Sequence, residues 1–143
     1  MISQNLTKIR ERLSCACVRA GRNLEAITLV AVTKGNTIER IKGVLAEGIF
    51  DLGENRVQEA IAKYSELLHT AVGRQIKWHM VGHLQTNKVK EAVRIFDLIH
   101  SVDSLRLALE IDRQAVRINK AQDILLEVKT SPGATKFGLN PFD

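Results

Sequence analysis

Ile27-Thr28-Leu29-Val30-Ala31-Val32-Thr33-Lys34 is a short apolar run, rich in β-branched residues, that meets a lysine. A continuous apolar run of this length is typical of a strand buried on both faces of a parallel sheet, and its β-branched content disfavours a helix. Ligands of α/β folds bind at the carboxyl ends of the strands. The run therefore predicts a first strand that delivers Lys34 to a ligand-binding rim.

Four further apolar segments alternate with segments of helical periodicity. Strands are predicted at 49–52, 75–81, 97–100 and 124–128, and helices at 2–20 and between each pair of successive strands. Asn36, with Glu39 three residues later, forms a capping-box-like pair that predicts where the second helix begins. Strands alternating with helices are typical of βα units in a parallel sheet.

Two parallel architectures fit this alternation, a doubly wound open sheet and a (β/α)8 barrel. Polar clusters follow every predicted strand, at 34, 54–56, 83–88, 100–103 and 129–130. A site spread over many strand ends is typical of a barrel, whereas a doubly wound sheet usually carries a glycine-rich turn, and the sequence has no G-x-G-x-x-G. We predict an α/β fold of the parallel (β/α)8 TIM-barrel type, limited to about its first five strands, as one domain over residues 1–143.

The composition excludes several classes of function. No apolar run reaches the length of a membrane span, and charged residues throughout positions 1–20 argue against a secretory signal. The net charge of +5 comes without a recognition motif, and one Trp, one Tyr and four Phe supply few stacking platforms, so we expect no nucleic-acid partner. Cys15 and Cys17 lie too close in a predicted helix for a bridge, which favours free thiols in the cytoplasm.

Several polar groups could carry chemistry. A partly desolvated Lys34 amine could form a Schiff base with an aldehyde, although an ammonium that simply reaches water is the alternative. Asn55 and Arg56 could hold an anion at a helix start, although Asn55 could instead be only a helix cap. His79 and His83 lie four apart in a strand-to-loop segment, which is not a helical metal pair, and no metal site is predicted.

Five ordered motifs carry a specific resemblance. They are Ala-Val-Thr-Lys at 31–34, Leu-Gly-Glu-Asn-Arg-Val-Gln-Glu at 52–59, Trp-His-Met-Val-Gly-His-Leu-Gln-Thr-Asn-Lys at 78–88, Ile-His-Ser-Val-Asp-Ser at 99–104 and Lys-Phe-Gly-Leu at 136–139. Together they cover nearly the whole chain. The series resembles the pyridoxal phosphate homeostasis protein family.

The resemblance implies a barrel like the N-terminal domain of alanine racemase. It implies pyridoxal 5′-phosphate held as a Schiff base on Lys34, and a role in vitamin B6 and amino-acid homeostasis without established catalytic turnover. By match to the motifs, Asn55 and Arg56 face the cofactor. The further candidates at the same rim are His79, Met80, His83, Ser101 and Lys136.

The sequence also departs from the family pattern. Gly35-Asn36-Thr37 follows the lysine where the family often has Thr-Lys-Pro, Lys129 replaces an asparagine, and 131–135 lack an expected acidic residue. The family's last βα units, whose loops hold the cofactor phosphate, are not in the sequence. We therefore expect a truncated chain that binds the cofactor more weakly and covers its open edges by self-association or with a partner chain. A racemase-like enzyme and a non-binding fragment are the alternatives.

Overall fold

The computed structural model describes residues 1–131 and 137–141, and one parallel sheet organises them. Its strands are β1 (Ala31–Val32), β2 (Asp51–Glu54), β3 (Lys77–Met80), β4 (Leu98–Val102) and β5 (Asp123–Leu126). All neighbouring pairs are parallel and the spatial order is β1-β2-β3-β4-β5. Spatial order equal to chain order is the arrangement of a barrel, because a doubly wound sheet reverses its order at a switch point. The predicted parallel α/β architecture is confirmed.

Amphipathic helices precede and connect the strands, as predicted. They are α1 (Ile2–Ala20), α2 (Ile38–Ala46), α3 (Val57–Leu67), α4 (Val89–Ile95) and α5 (Leu105–Arg117), with 3₁₀ turns at Leu24–Ala26, Gly73–Gln75 and Thr86–Lys88. The predicted cap of α2 is wrong by one residue. Thr37 is the N-cap, and its hydroxyl accepts from the Arg40 N–H at 3.5 Å, while the Asn36 side chain donates to the Lys34 carbonyl.

The hydrophobic core lies between the sheet and helices α2–α5. Leu52, Trp78 and Ile99 of the strands are buried there against helix residues. Trp78 also meets the ring of Tyr64 edge-on, with centroids 6.0 Å apart. Because burying one large apolar side chain is worth about 1.5–3 kcal/mol, this layer is the main stabilising contact of the fold.

The two edge strands of the sheet are open to solvent. Residues 27–30 lie outside β1, which is only two residues long, and Val32 remains 49% exposed. The prediction of a first strand buried on both faces is therefore wrong. A β-branched run is buried on both faces only when structure covers each of them, and the helices of the core cover one. All four residues of β5, at the other edge, are exposed as well.

Two further observations concern the helices. Cys15 of α1 is exposed and Cys17 is buried, and both are free thiols. Within the part of the chain that the structure describes, no helix has the length and apolar character required to cross a membrane.

Candidate functional site

Lys34 lies in a tight turn at the carboxyl end of β1. The N–H of Thr33 donates to the Gly53 carbonyl at 2.9 Å, and the Asn36 N–H closes the turn by donating to the Thr33 carbonyl at 3.0 Å. Lys34 is exposed, so the predicted partial desolvation of its amine is wrong. That amine makes no hydrogen bond or ion pair with any described residue, and a ligand can reach it from solvent.

A buried ion network lies directly behind this turn. The Lys63 ammonium of α3 donates to the Thr33 carbonyl at 2.7 Å, to Glu54 Oε1 at 2.6 Å and to Glu59 Oε1 at 2.7 Å. Burial by itself lowers the pKa of Lys63, but the hydrogen bonds to Glu54 and Glu59 outweigh it, so the pKa lies above its usual value. Lys63 therefore stays charged between two carboxylates.

The same network reaches the far side of the turn. Glu59 Oε1 accepts a hydrogen bond from the Gly35 N–H at 2.6 Å. The hydrogen bond from Lys63, and then that from Gly35, hold the pKa of Glu59 below its usual value. The sequence reasoning missed this network. Its available signals were the i,i+4 spacing of Glu59 and Lys63 on α3 and a glutamate at the carboxyl end of β2.

Four of the predicted residues converge on one cleft at the carboxyl ends of β2 and β3. This cleft has a volume of about 380 Å³, within the range of small-ligand sites. Its lining comprises Asn55, Arg56, Val57, Gln58, Met80, Gly82, His83, Gln85 and Lys88. Met80 is almost fully buried in the core and therefore presents little surface to the cleft.

The β2 and β3 ends approach each other very closely at this cleft. A Cβ atom at Gly82 would lie 2.4 Å from the Asn55 carbonyl oxygen and 2.7 Å from its Cα. Only a residue without a side chain fits there. The contact fixes the spacing between Asn55 and the loop that carries His83.

The cleft is basic. Arg56 is exposed and occupies the N-cap position of α3, which has no side-chain cap, so the expectation that Asn55 caps this helix is wrong. His83 Nδ1 lies 3.3 Å from Asp103 Oδ2, and its ring stacks on Phe137 with centroids 3.7 Å apart. With Lys88 also in the lining, these groups favour an anionic ligand.

His79 belongs to a different group of side chains. Its Nε2 lies 2.9 Å from Asp51 Oδ1 and its Nδ1 lies 2.9 Å from His100 Nε2. Burial, and then the neighbouring His79, lower the pKa of His100. Across the described ranges, no group of three His, Cys, Asp or Glu side chains could hold a metal ion.

Two predicted residues remain apart from these clusters. Ser101 is buried, and its hydroxyl has no hydrogen-bond partner among the residues that the structure describes. Lys136 lies outside the described residues. Lys34 does not line the cleft, but it shares the rim with Asn55, since each lies two residues beyond the paired residues Val32 and Gly53.

Comparisons with known proteins agree with this architecture. The chain matches the family "Alanine racemase, N-terminal domain" over residues 4–143. It is 39% identical over 138 residues to the pyridoxal phosphate homeostasis protein of Aquifex aeolicus, an alignment that covers 96% of this chain and 59% of the relative.

Solved structures give the same result. PipY of Synechococcus elongatus, in a structure with PLP bound, superposes with a TM-score of 0.76 at 41% identity, over 94% of this chain and 59% of that one. An unknown protein from Bifidobacterium adolescentis superposes with a TM-score of 0.90 at 33% identity, over 99% of this chain and 60% of that one. The chain spans about 60% of the length of these relatives. The comparisons confirm the resemblance and the barrel-type fold predicted from the sequence.

Proposed function

The chain belongs to the alanine racemase N-terminal domain family, and on that premise we propose that it binds pyridoxal 5′-phosphate through a Schiff base on Lys34. Its proposed role is vitamin B6 and amino-acid homeostasis without catalytic turnover. The names of its relatives support this role, since they include pyridoxal phosphate homeostasis proteins and a structure with PLP bound.

The observation that carries the proposal is an exposed lysine amine at the carboxyl end of β1 that bonds to no residue the structure describes. A neutral amine adds to the aldehyde carbon. The aldehyde oxygen then leaves as water with the two amine protons, and a C=N bond joins nitrogen and carbon. The bound cofactor would contribute an aldehyde and an electron-withdrawing ring. Lys34 contributes the nucleophile, and its exposure lets a ligand approach from solvent.

The neighbouring cleft would orient the cofactor. We propose that Asn55 and Arg56 form its principal contacts at the rim, since Arg56 and Lys88 offer positive charge to an anionic ligand. The secondary candidates, each of which a single substitution can test, are His79, Met80, His83, Ser101 and Lys136.

Borohydride trapping tests the proposal directly. The purified chain is incubated with pyridoxal 5′-phosphate, reduced with borohydride, digested and mapped by mass spectrometry. We expect one dominant adduct on Lys34 that is lost in Lys34→Ala and retained in Lys42→Ala, which removes an exposed lysine of α2. Adducts scattered over surface lysines, or none, would contradict the proposal.

A racemase-like activity is the alternative function. Racemisation requires a second acid–base group opposite the lysine. Tyr64 does not supply one, because it packs against Trp78 between α3 and the sheet. We expect the loaded chain to exchange the α-proton of L-alanine in deuterated water no faster than the free cofactor does, measured by NMR. Faster exchange that is lost in Lys34→Ala would establish the alternative.

We further propose that the open edges of the sheet self-associate or take a partner chain. The support is the exposure of apolar side chains at both edges, since unpaired strand edges favour pairing. These exposed edge side chains are Val32 of β1 and Ile124, Leu125 and Leu126 of β5. If the edges self-associate, light scattering after size exclusion would show a mass that rises with concentration, and a constant monomer mass would contradict self-association. The free thiols of Cys15 and Cys17 are consistent with a cytoplasmic location, which we also propose.

A further inference from the structure

We infer that Glu59 and Lys63 are positioning residues, which fix the backbone on both sides of Lys34 and thereby set where its amine meets the cofactor. The inference rests on the proposed function and deepens it. Glu59 and Lys63 hold the backbone that bears the reactive side chain, and neither touches the amine itself.

The residue before Lys34 is held by two side chains. The Thr33 carbonyl accepts from Lys63 Nζ at 2.7 Å, and the Thr33 hydroxyl donates to Glu54 Oε1 at 2.5 Å. Thr33, Glu54 and Lys63 are all buried. Hydrogen bonds to charged groups are stronger when water is excluded, so position 33 is tied firmly to both β2 and α3.

The residue after Lys34 is held by the same network. The Gly35 N–H donates to Glu59 Oε1 at 2.6 Å, and that oxygen also accepts from Lys63 at 2.7 Å. Gly35 has φ +67°, a left-handed conformation that favours glycine. Glu59 therefore holds a turn whose geometry depends on this one residue.

Lys34 needs such support because packing gives it no orientation. Its side chain is exposed and bonded to no described residue. What remains fixed is the direction of its Cα–Cβ bond, and residues 33–35 set that direction. A lysine whose first bond is fixed can present its amine repeatedly to one place at the rim, which is the condition for efficient reaction with a bound aldehyde.

Two substitutions of Glu59 test the inference. Glu59→Ala removes the acceptor of the Gly35 N–H, whereas Glu59→Gln keeps an oxygen at that position. Lys63 is not the residue to change, because its loss would leave Glu54 buried without a cation and could unfold the chain. The matched control is Glu110→Ala, which removes a glutamate of α5 that bonds Arg113 and Gln114.

Two quantities are measured for each variant. The first is the exchange rate of the Gly35 amide by NMR in the cofactor-free chain. We expect Glu59→Ala to raise it by about tenfold or more, as for loss of a hydrogen bond to a charged group. The second is the rate at which borohydride traps pyridoxal 5′-phosphate on Lys34. We expect about a tenfold fall, since a misplaced reactive group can lose up to a hundredfold.

In Glu59→Gln, both the Gly35 exchange rate and the trapping rate should be close to those of the native chain. Glu110→Ala should change neither rate. Unchanged Gly35 exchange in Glu59→Ala would overturn the inference, and so would faster exchange with unchanged trapping. Failure of the native chain to trap the cofactor on Lys34 would overturn the proposed function instead. The Gly35 exchange rate would then still decide whether the network holds the turn.

Discussion

The close approach of Gly82 to Asn55 makes Gly82→Ala a sharp test of the candidate site. The new Cβ would lie 2.4 Å from the Asn55 carbonyl oxygen. Carbon–oxygen contacts relax to about 3.3 Å, so the two backbones must separate by about 0.9 Å. Neither can do so freely, because Asn55 and Gly82 lie just beyond the ends of the paired strands β2 and β3, and the Val81 N–H still donates to the Glu54 carbonyl at 3.0 Å. Overpacking of this kind costs about 1–3 kcal/mol, and we expect that loss in the free energy of unfolding.

Urea unfolding followed by circular dichroism measures the loss. With a slope of about 1–3 kcal/mol/M, the midpoint should fall by roughly 1 M, and trapping on Lys34 should fall as Asn55 moves. Gly43→Ala is the matched control. Its Cβ would meet only the tip of the Ile2 side chain at 3.1 Å, inside α2, and alanine gains about 0.5–1 kcal/mol over glycine in a helix. A Gly82→Ala midpoint equal to that of the native chain would refute the close approach.

Three further predictions concern stability. Lys120→Met should lower the free energy of unfolding in urea by about 1–3 kcal/mol, because Lys120 Nζ donates to the Val93 and Phe96 carbonyls at 2.8 and 2.7 Å, at the end of α4. Lys90→Met, on the exposed side of α4, is the control and should change the free energy of unfolding little. Thr37→Ala should cost about 0.5–2 kcal/mol as a lost cap, whereas Asn36→Ala should cost less, and equal losses would contradict the assigned cap. His100, whose pKa is lowered in the folded chain, binds protons more readily when unfolded. Stability should therefore be full above about pH 6.5 and fall as the pH drops toward the folded pKa; His100→Asn should flatten this dependence, and an unchanged curve would contradict it.

Elements whose signal is local were predicted well. Helix 2–20 was expected with the bounds that α1 has, because its apolar spacing and the glycine that follows lie within the segment. The alternation of strands and helices along the chain was predicted from local patterns in the same way. The first strand was not predicted correctly. The run 27–33 shows that the segment is apolar, but its own sequence does not show which of its faces other parts of the chain cover.

The candidate site was predictable in part. Asn55, Arg56 and His83 meet in one cleft because strand ends converge on one rim, which topology alone implies. Pairwise contacts between distant residues were not predictable. The bond of His79 to His100 depends on the register of β3 and β4, and the bond of Glu59 to the Gly35 N–H depends on a helix lying behind a turn.

The spatial order of the strands, identical to their order along the chain, bears on how the protein is made. Among the described residues, each strand pairs with the strands synthesised immediately before and after it, so every new βα unit finds its docking surface already present when it leaves the ribosome. Assembly can then proceed in the direction of translation, at the usual pace of about 5–20 residues per second.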